Sequence, residues 1–205
     1  MGKKGNKNQF IEATTKIREK GGTLRMSEAL QMGISRKTLY SMRDEGVLEQ
    51  ISRGIYRLTE LADLSQPDLV TVANRAPNGV ICLISALSYH ELTTQIPHEV
   101  HLAIERGAET PRIDYPPVAI YWFSGAAFRE GIEVHMIDQM RIRIYSPEKT
   151  IADCFKYRHK IGMDIVLEAL KLWREKRSDK TEELLKMARF CRVERVIRPY
   201  LEAII

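Results

Sequence analysis

One change of hydrophobic period limits what the N-terminal third of this chain can become. Ser27 is an N-cap candidate for a short helix to about residue 32, with Ala29 and Leu30 turned inward. Gly33 breaks that helix, Ile34 is apolar, and Ser35 caps a further helix over residues 36–45. Gly46 stops it. The period then falls from 3.6 to 2, and residues 47–51 and 55–58 read as strands around a Ser52-Arg53-Gly54 turn. Upstream, Asn8 caps a helix to about Lys20, with Phe10, Ile11, Thr14 and Ile17 on one face, and Gly21-Gly22 ends it. Helix, helix, glycine turn, helix and hairpin, in that order, predict a winged helix-turn-helix.

The faces of the 36–45 helix sharpen that expectation. At about 100° per residue, with Arg36 at zero, Tyr40 lies at about 40° and Arg43 at about −20°. By the same rotation Leu39 and Met42 fall together on another side, the one that must anchor a core. Arginine can give guanine a bidentate pair, and Lys, Tyr and Ser can reach phosphates or base edges. The expected DNA-contacting set is therefore Ser35, Arg36, Lys37, Thr38, Tyr40, Ser41 and Arg43, with Arg53 at the hairpin tip meeting a phosphate or a minor groove.

Charge agrees. Residues 1–60 hold 12 Lys+Arg against 7 Asp+Glu, whereas residues 61–205 hold 20 of each. The whole excess of +5 lies in the first module, which points to a polyanionic partner for it.

The expected organisation is α+β. A winged helix-turn-helix over 1–60 and a linker over 61–66 precede a mixed α/β domain over 67–205, with a small, mostly antiparallel sheet and a helical tail. Pro67 opens a helix with Leu69, Val70, Val72 and Ala73 inward, and Ser85 caps another to about residue 92. Strands are expected at 80–83, 100–104, 118–123, 132–137 and 140–145. Ser146-Pro147-Glu148 then carries a cap, a first-turn proline and a dipole-matched acid. Later helices are expected over about 163–174, 180–190 and 193–203. Trp122 and Trp173 are expected as core anchors, and Cys154 as a buried thiol.

Signals of catalysis are absent from the sequence. There is no HExxH, no zinc-spaced cysteine pair, no P-loop, no GxSxG and no dinucleotide fingerprint. Glu148 and Asp153 read as a helix cap and a polar contact, and His90 and His135 as packed or surface residues. The expectation is a non-enzyme without metal or cofactor. Three separated cysteines, no 20-residue apolar span and no apolar stretch after the basic N-terminus fit a cytoplasmic protein. A second basic patch is a candidate. Arg141 and Arg143 share one strand face, with Lys149, Lys156 and Arg158 on or near the following helix.

Three stretches of the first module carry a resemblance. They run from Gly22-Thr23-Leu24-Arg25 to Ala29, from Gly33-Ile34-Ser35-Arg36 to Tyr40, and from Glu45-Gly46-Val47 to Arg53-Gly54-Ile55-Tyr56-Arg57-Leu58. They resemble the N-terminal winged helix of AbiEi-type antitoxins. Leu83-Ile84-Ser85-Ala86-Leu87 and Tyr145-Ser146-Pro147-Glu148-Lys149-Thr150-Ile151-Ala152-Asp153 extend the likeness, and the tail after about Arg174 matches least specifically. The resemblance implies an antitoxin of a toxin–antitoxin and phage-defence pair. Such a protein represses its own operon at inverted repeats in the promoter. It counters a nucleotidyltransferase-like toxin encoded beside it, without requiring a stable complex, and some antitoxicity resides in the second domain. In that reading the second basic patch aids DNA binding or antitoxicity. The residues alone leave two other classes open: a regulator whose second domain senses a ligand or partner, and an enzyme acting on nucleic acid or nucleotides, which would need a clustered acidic or metal site that the sequence does not show. A single winged helix reads one half-site, so two copies are expected on an inverted repeat.

Overall fold

The computed structural model describes residues 3–203. Two compact units are present. One comprises the chain up to Asn74 together with Met136–Arg141, and the other comprises Arg75–His135 and the chain from Ile142 onward.

In the first unit, α1 spans Lys3–Glu19, β1 Thr23–Arg25, α2 Met26–Gln31, α3 Arg36–Asp44, β2 Leu48–Ser52 and β3 Ile55–Leu58. The three strands form an antiparallel sheet in the order β1-β3-β2. Its core is a small apolar cluster that includes Ala13, Ile17, Leu24, Ala29, Ile34, Leu39, Met42, Leu48, Tyr56 and Leu58. Two expected core residues are outside it: Ile11 is 59% exposed and Leu30 is 41% exposed. The inward positions are instead Ala13 and Ile17 on α1 and Ala29 on α2, so each helix presents a narrower apolar stripe than its sequence suggests. Helix starts also shift. Asn8 lies inside α1, and α2 begins at Met26 with Arg25 as its cap residue, where the Glu28 side chain accepts from the Arg25 amide at 2.7 Å. The 61–66 segment is tied down within this unit. Leu61 packs on the core, and the Asp138 carboxylate accepts from the Ser65 amide at 2.9 Å and its hydroxyl at 3.2 Å. Helix α4, Pro67–Arg75, buries Leu69, Val70 and Val72.

The second unit carries β4 (Val80–Ile81), α5 (Leu83–Tyr89), β5 (Val100–Glu105), β6 (Val118–Phe123), α6 (Ala126–Arg129) and most of β7 (Ile132–Ile137) and β8 (Met140–Tyr145), whose adjoining ends, within Met136–Arg141, belong to the first unit. Helices α7 (Pro147–Lys156), α8 (Arg158–Ile161), α9 (Met163–Arg177), α10 (Thr181–Cys191) and α11 (Glu194–Ala203) follow. The sheet order is β6-β5-β4-β8-β7. It is mixed, not mostly antiparallel: β4 runs antiparallel to β5, but parallel to β8, and β5 runs parallel to β6. Parallel neighbours need long connections. Residues 106–117 supply one between β5 and β6, and everything from α5 to β7 lies between β4 and β8. Helix α5 starts two residues before Ser85, with Cys82 in the cap position, and the Ser85 hydroxyl instead accepts from the His101 amide at 2.9 Å. Trp122 is 45% exposed on β6, which stands at the sheet edge, while Trp173 is fully buried.

The Ser146-Pro147-Glu148-Lys149 segment organises this unit. The Ser146 hydroxyl accepts from the Lys149 amide at 3.2 Å, and its own amide donates to the Gly131 carbonyl at 2.7 Å. Glu148 accepts from the Trp173 indole at 3.1 Å, which joins α7 to α9. Lys149 is fully buried and meets Asp153 at 2.5 Å. The Cys191 thiol donates to the same carboxylate at 3.2 Å, which joins α7 to α10. Burial pushes the Asp153 carboxyl up, against the pull of Lys149. Removing Asp153 alone would leave an unpaired ammonium in the core. Asp153→Ala is expected to lower the unfolding free energy by about 3–5 kcal/mol, and Lys149→Met with Asp153→Leu to cost less than that. Urea unfolding followed at the tryptophans compares them. A double variant less stable than the single one would show that the pair is worth more than its apolar replacement.

Candidate nucleic-acid interface

Helix α3 is held by one face and offers the other. Leu39 and Met42 are fully buried, whereas Arg36, Lys37, Tyr40 and Arg43 are exposed, as the sequence periodicity expects. At its start the Ser35 hydroxyl accepts from the Thr38 amide at 3.1 Å and lies 2.8 Å from the Thr38 hydroxyl. This satisfies one of the donors that a helix N-terminus leaves over. The turn before it closes through the Ile34 amide donating to the Ala29 carbonyl at 2.9 Å, with Gly33 at φ 80°. Left-handed backbone of that kind favours glycine. Ser41 is half-buried beside the exposed residues.

The β2–β3 hairpin follows directly. Its ladder shifts register between Gln50 and Ser52, and Gly54 at φ 78° closes the turn with Arg53 exposed beside it. Arg36, Tyr40, Arg43, Gln50, Arg53 and Tyr56 line one open recess of about 610 Å³. The helix and the hairpin tip therefore address the same space.

Charges in this recess differ in availability. The Arg43 guanidinium donates to Asp44 at 2.7 and 3.0 Å, reaches Gln50 at 3.5 Å and sits 5.3 Å from the centre of the Tyr40 ring. Its hydrogen bond to Asp44 raises its pKa further. Among the described residues no carboxylate pairs with Arg36, Lys37 or Arg53. Elsewhere in the unit, cations are spent internally. Arg57 is 5% exposed, meets Glu49 at 2.9 Å and donates to the Ala62 carbonyl. Lys16 pairs with Glu12, Arg18 with Glu60 and Lys20 with Glu28. Arg36, Lys37 and Arg53 thus stand without a carboxylate partner, among the described residues, on α3 and at the hairpin tip. Sequence reasoning did not single out Gln50 or Asp44. The adjacency of Arg43 and Asp44 was the one signal for the latter, and Gln50 depends on a ladder irregularity that periodicity cannot show.

The second group of basic residues is not assembled as expected. Lys149 is fully buried and lies 4.0 Å from the centre of the Tyr145 ring, so it belongs to the core. Arg141 is exposed and falls in the first unit, while Arg143 falls in the second and donates to the Asn78 carbonyl at 2.7 Å. Arg158 is half-buried and donates to the Phe155 carbonyl at 2.8 Å, and Lys156 is exposed. The three thiols, Cys82, Cys154 and Cys191, are free and buried, and burial pushes each pKa up.

The family model described as transcriptional regulator, AbiEi antitoxin, matches residues 13–59. No curated protein matches the chain. Among solved structures the chain is similar to the crystal structure of RV2827C protein from Mycobacterium tuberculosis. Identity is 13% and the TM-score 0.52, over 87% of this chain and 75% of that one. At that identity the likeness is one of fold. No helix among the described residues is long and apolar enough to cross a membrane.

Ser35 caps the exposed start of α3. Ser35→Ala is expected to cost about 0.5–2 kcal/mol through the lost cap. Ser35→Asp is expected to restore the cap and, if this face takes a polyanion, to weaken its binding through the added negative charge. Thermal unfolding by circular dichroism, together with binding to a duplex, checks both. An alanine variant as stable as the parent would remove the cap from the account.

Proposed function

With residues 13–59 carrying the pattern of AbiEi antitoxin transcriptional regulators, we propose that this chain is an antitoxin that represses its own operon. The first unit acts as a winged helix-turn-helix on inverted-repeat promoter DNA. The observation that carries this reading is the shared recess of α3 and the β2–β3 tip, with Arg36, Lys37 and Arg53 free of internal carboxylate partners among the described residues. Helix α3 enters the major groove, where Arg36 and Arg43 meet base edges and Lys37, Tyr40 and the hydroxyls of Ser35, Thr38 and Ser41 meet edges or phosphates. Arg53 contacts the backbone or the adjacent minor groove. Arg43 must exchange Asp44 for its DNA partner, so it contributes less to non-specific affinity than Arg36. One unit covers a half-site, so two copies occupy an inverted repeat. The second unit serves antitoxicity against a nucleotidyltransferase-like toxin in the cytoplasm, as part of a phage-defence pair. It works as a binding domain without catalysis.

A second reading has its own observation. A recess of about 680 Å³ in the second unit gathers Arg75, Arg112, Arg129 and Arg143, with Glu105 and Glu109 also lining it. A regulator that senses an anionic ligand would use such a cleft. The neighbouring gene discriminates: a nucleotidyltransferase-like partner favours the antitoxin, and its absence favours the sensor.

Binding to DNA from upstream of the chain's own gene, against random duplex at two salt concentrations, tests the reading. Loss of a guanine-reading arginine costs about 1–3 kcal/mol, and loss of a phosphate contact lowers the salt slope by about 1. Arg36→Ala with Arg53→Ala is expected to weaken specific binding by at least tenfold and to flatten its salt dependence. Equal affinity for both duplexes, or an unchanged double variant, would sink the assignment of α3 as the recognition helix.

A further inference from the structure

Within the second unit, three residues far apart in sequence converge. His90 occupies the position that ends α5, and Glu133 and His135 stand two apart on β7, hence on one face of the strand. One ligating atom from each lies within 4.8 Å of the other two. His135 Nε2 is 3.1 Å from Glu133 Oε2. His90 Nε2 is 2.8 Å from the Tyr145 carbonyl oxygen. A carbonyl only accepts, so Nε2 of His90 carries the proton and Nδ1 holds the lone pair. Metal-binding histidines are commonly fixed in this way, by a carbonyl on the ring nitrogen that does not bind. The Tyr89 ring stands edge-on to both imidazoles, with centroids 5.2 and 5.0 Å away, and shields one side of the cluster. Glu133 keeps 44% of its side-chain surface exposed, which leaves an entry from solvent.

We propose that His90, Glu133 and His135 form a divalent transition-metal site of the zinc class, with a coordination position left for water or another ligand. Two imidazoles and one carboxylate are a donor set that zinc accepts, at about 2.0–2.2 Å per bond. Tetrahedral neighbours are then about 3.4 Å apart. From separations of up to 4.8 Å, the side chains must draw together to reach that spacing. The His135 proton now facing Glu133 moves to the other ring nitrogen as the metal takes its place. The bound ion ties β7 to the end of α5. Through Tyr145 it also bears on the start of the helix that carries Lys149.

The test uses the full chain, freed of metal by chelation and titrated with Zn²⁺ and, as an optical probe, Co²⁺. One equivalent is expected to bind, with Co²⁺ giving the visible absorption of a low-coordinate nitrogen–oxygen site. Glu133→Gln and His135→Gln keep side-chain size and sit at partly exposed positions. Each is expected to weaken Zn²⁺ binding at least tenfold, with an unchanged circular dichroism spectrum. Absence of stoichiometric Zn²⁺ binding at micromolar concentrations would overturn the proposal. So would binding by folded Glu133→Gln and His135→Gln variants equal to that of the parent.

Discussion

A lysine with no solvent around it dominates the second unit. Taking an ammonium and a carboxylate out of water costs several kcal/mol per ion, and their attraction repays it only in good geometry. Lys149 and Asp153 meet that demand at 2.5 Å along one helical turn of α7. Cys191 satisfies the remaining carboxylate oxygen from α10. The faces of Tyr145 and Phe123, 4.0 and 4.8 Å from the ammonium, supply the electron density that water would otherwise give. Gly131 completes the enclosure. A Cβ there would lie 2.6 Å from the Lys149 Cβ, and its φ of 73° already favours glycine. Sheet, α7 and α10 are therefore fixed to one another by a charge that tolerates little displacement. An apolar cluster of the same size would hold them less specifically, since hydrophobic contact has no direction.

The first unit is built the other way round. Its core is a small set of aliphatic and aromatic side chains, and most of its charges stay outside. Internal ion pairs neutralise Lys16, Arg18, Lys20 and Arg57, whereas Arg36, Lys37 and Arg53 face solvent without a carboxylate partner among the described residues. Exposed pairs of this kind contribute little to stability. Their consequence is to take those four cations out of competition for an external anion, whereas the cations of α3 and the hairpin tip stay available. Stability comes from Leu39, Met42 and the sheet beneath, so the outward face of α3 can change with little effect on the fold.

Local features of this protein were readable in its residues, and long-range ones were not. The faces of α3 follow from a 3.6-residue period, and the hairpin from strand alternation around a glycine turn. The Ser146 cap and the helix after it are equally local. Lys149 shows where such reasoning stops. As a lone cation it belongs on a surface, yet the i, i+4 spacing to Asp153 was present and compatible with a buried pair. What the sequence could not convey is that Cys191 and Phe123 close around it from distant segments. Trp122 is the converse case, since an indole reads as core until its strand is known to lie at the sheet edge. Parallel pairing of β4 with β8 is of the same kind, decided by contact between Ile81 and Ile144, which no local pattern links.

The histidines join these two themes. His90 and His135 carry no spacing signal, because one ends a helix and the other lies on a strand in a distant part of the chain. They meet because the Tyr145 carbonyl, at the end of β8, holds His90 by its ring nitrogen. Thr150 donates to that same oxygen at 3.2 Å from within α7. The backbone group that orients His90 is therefore fixed from the segment that buries Lys149. A rigid ionic core lets a nearby cluster of polar side chains keep its geometry at a partly exposed position, where packing alone would let it spread.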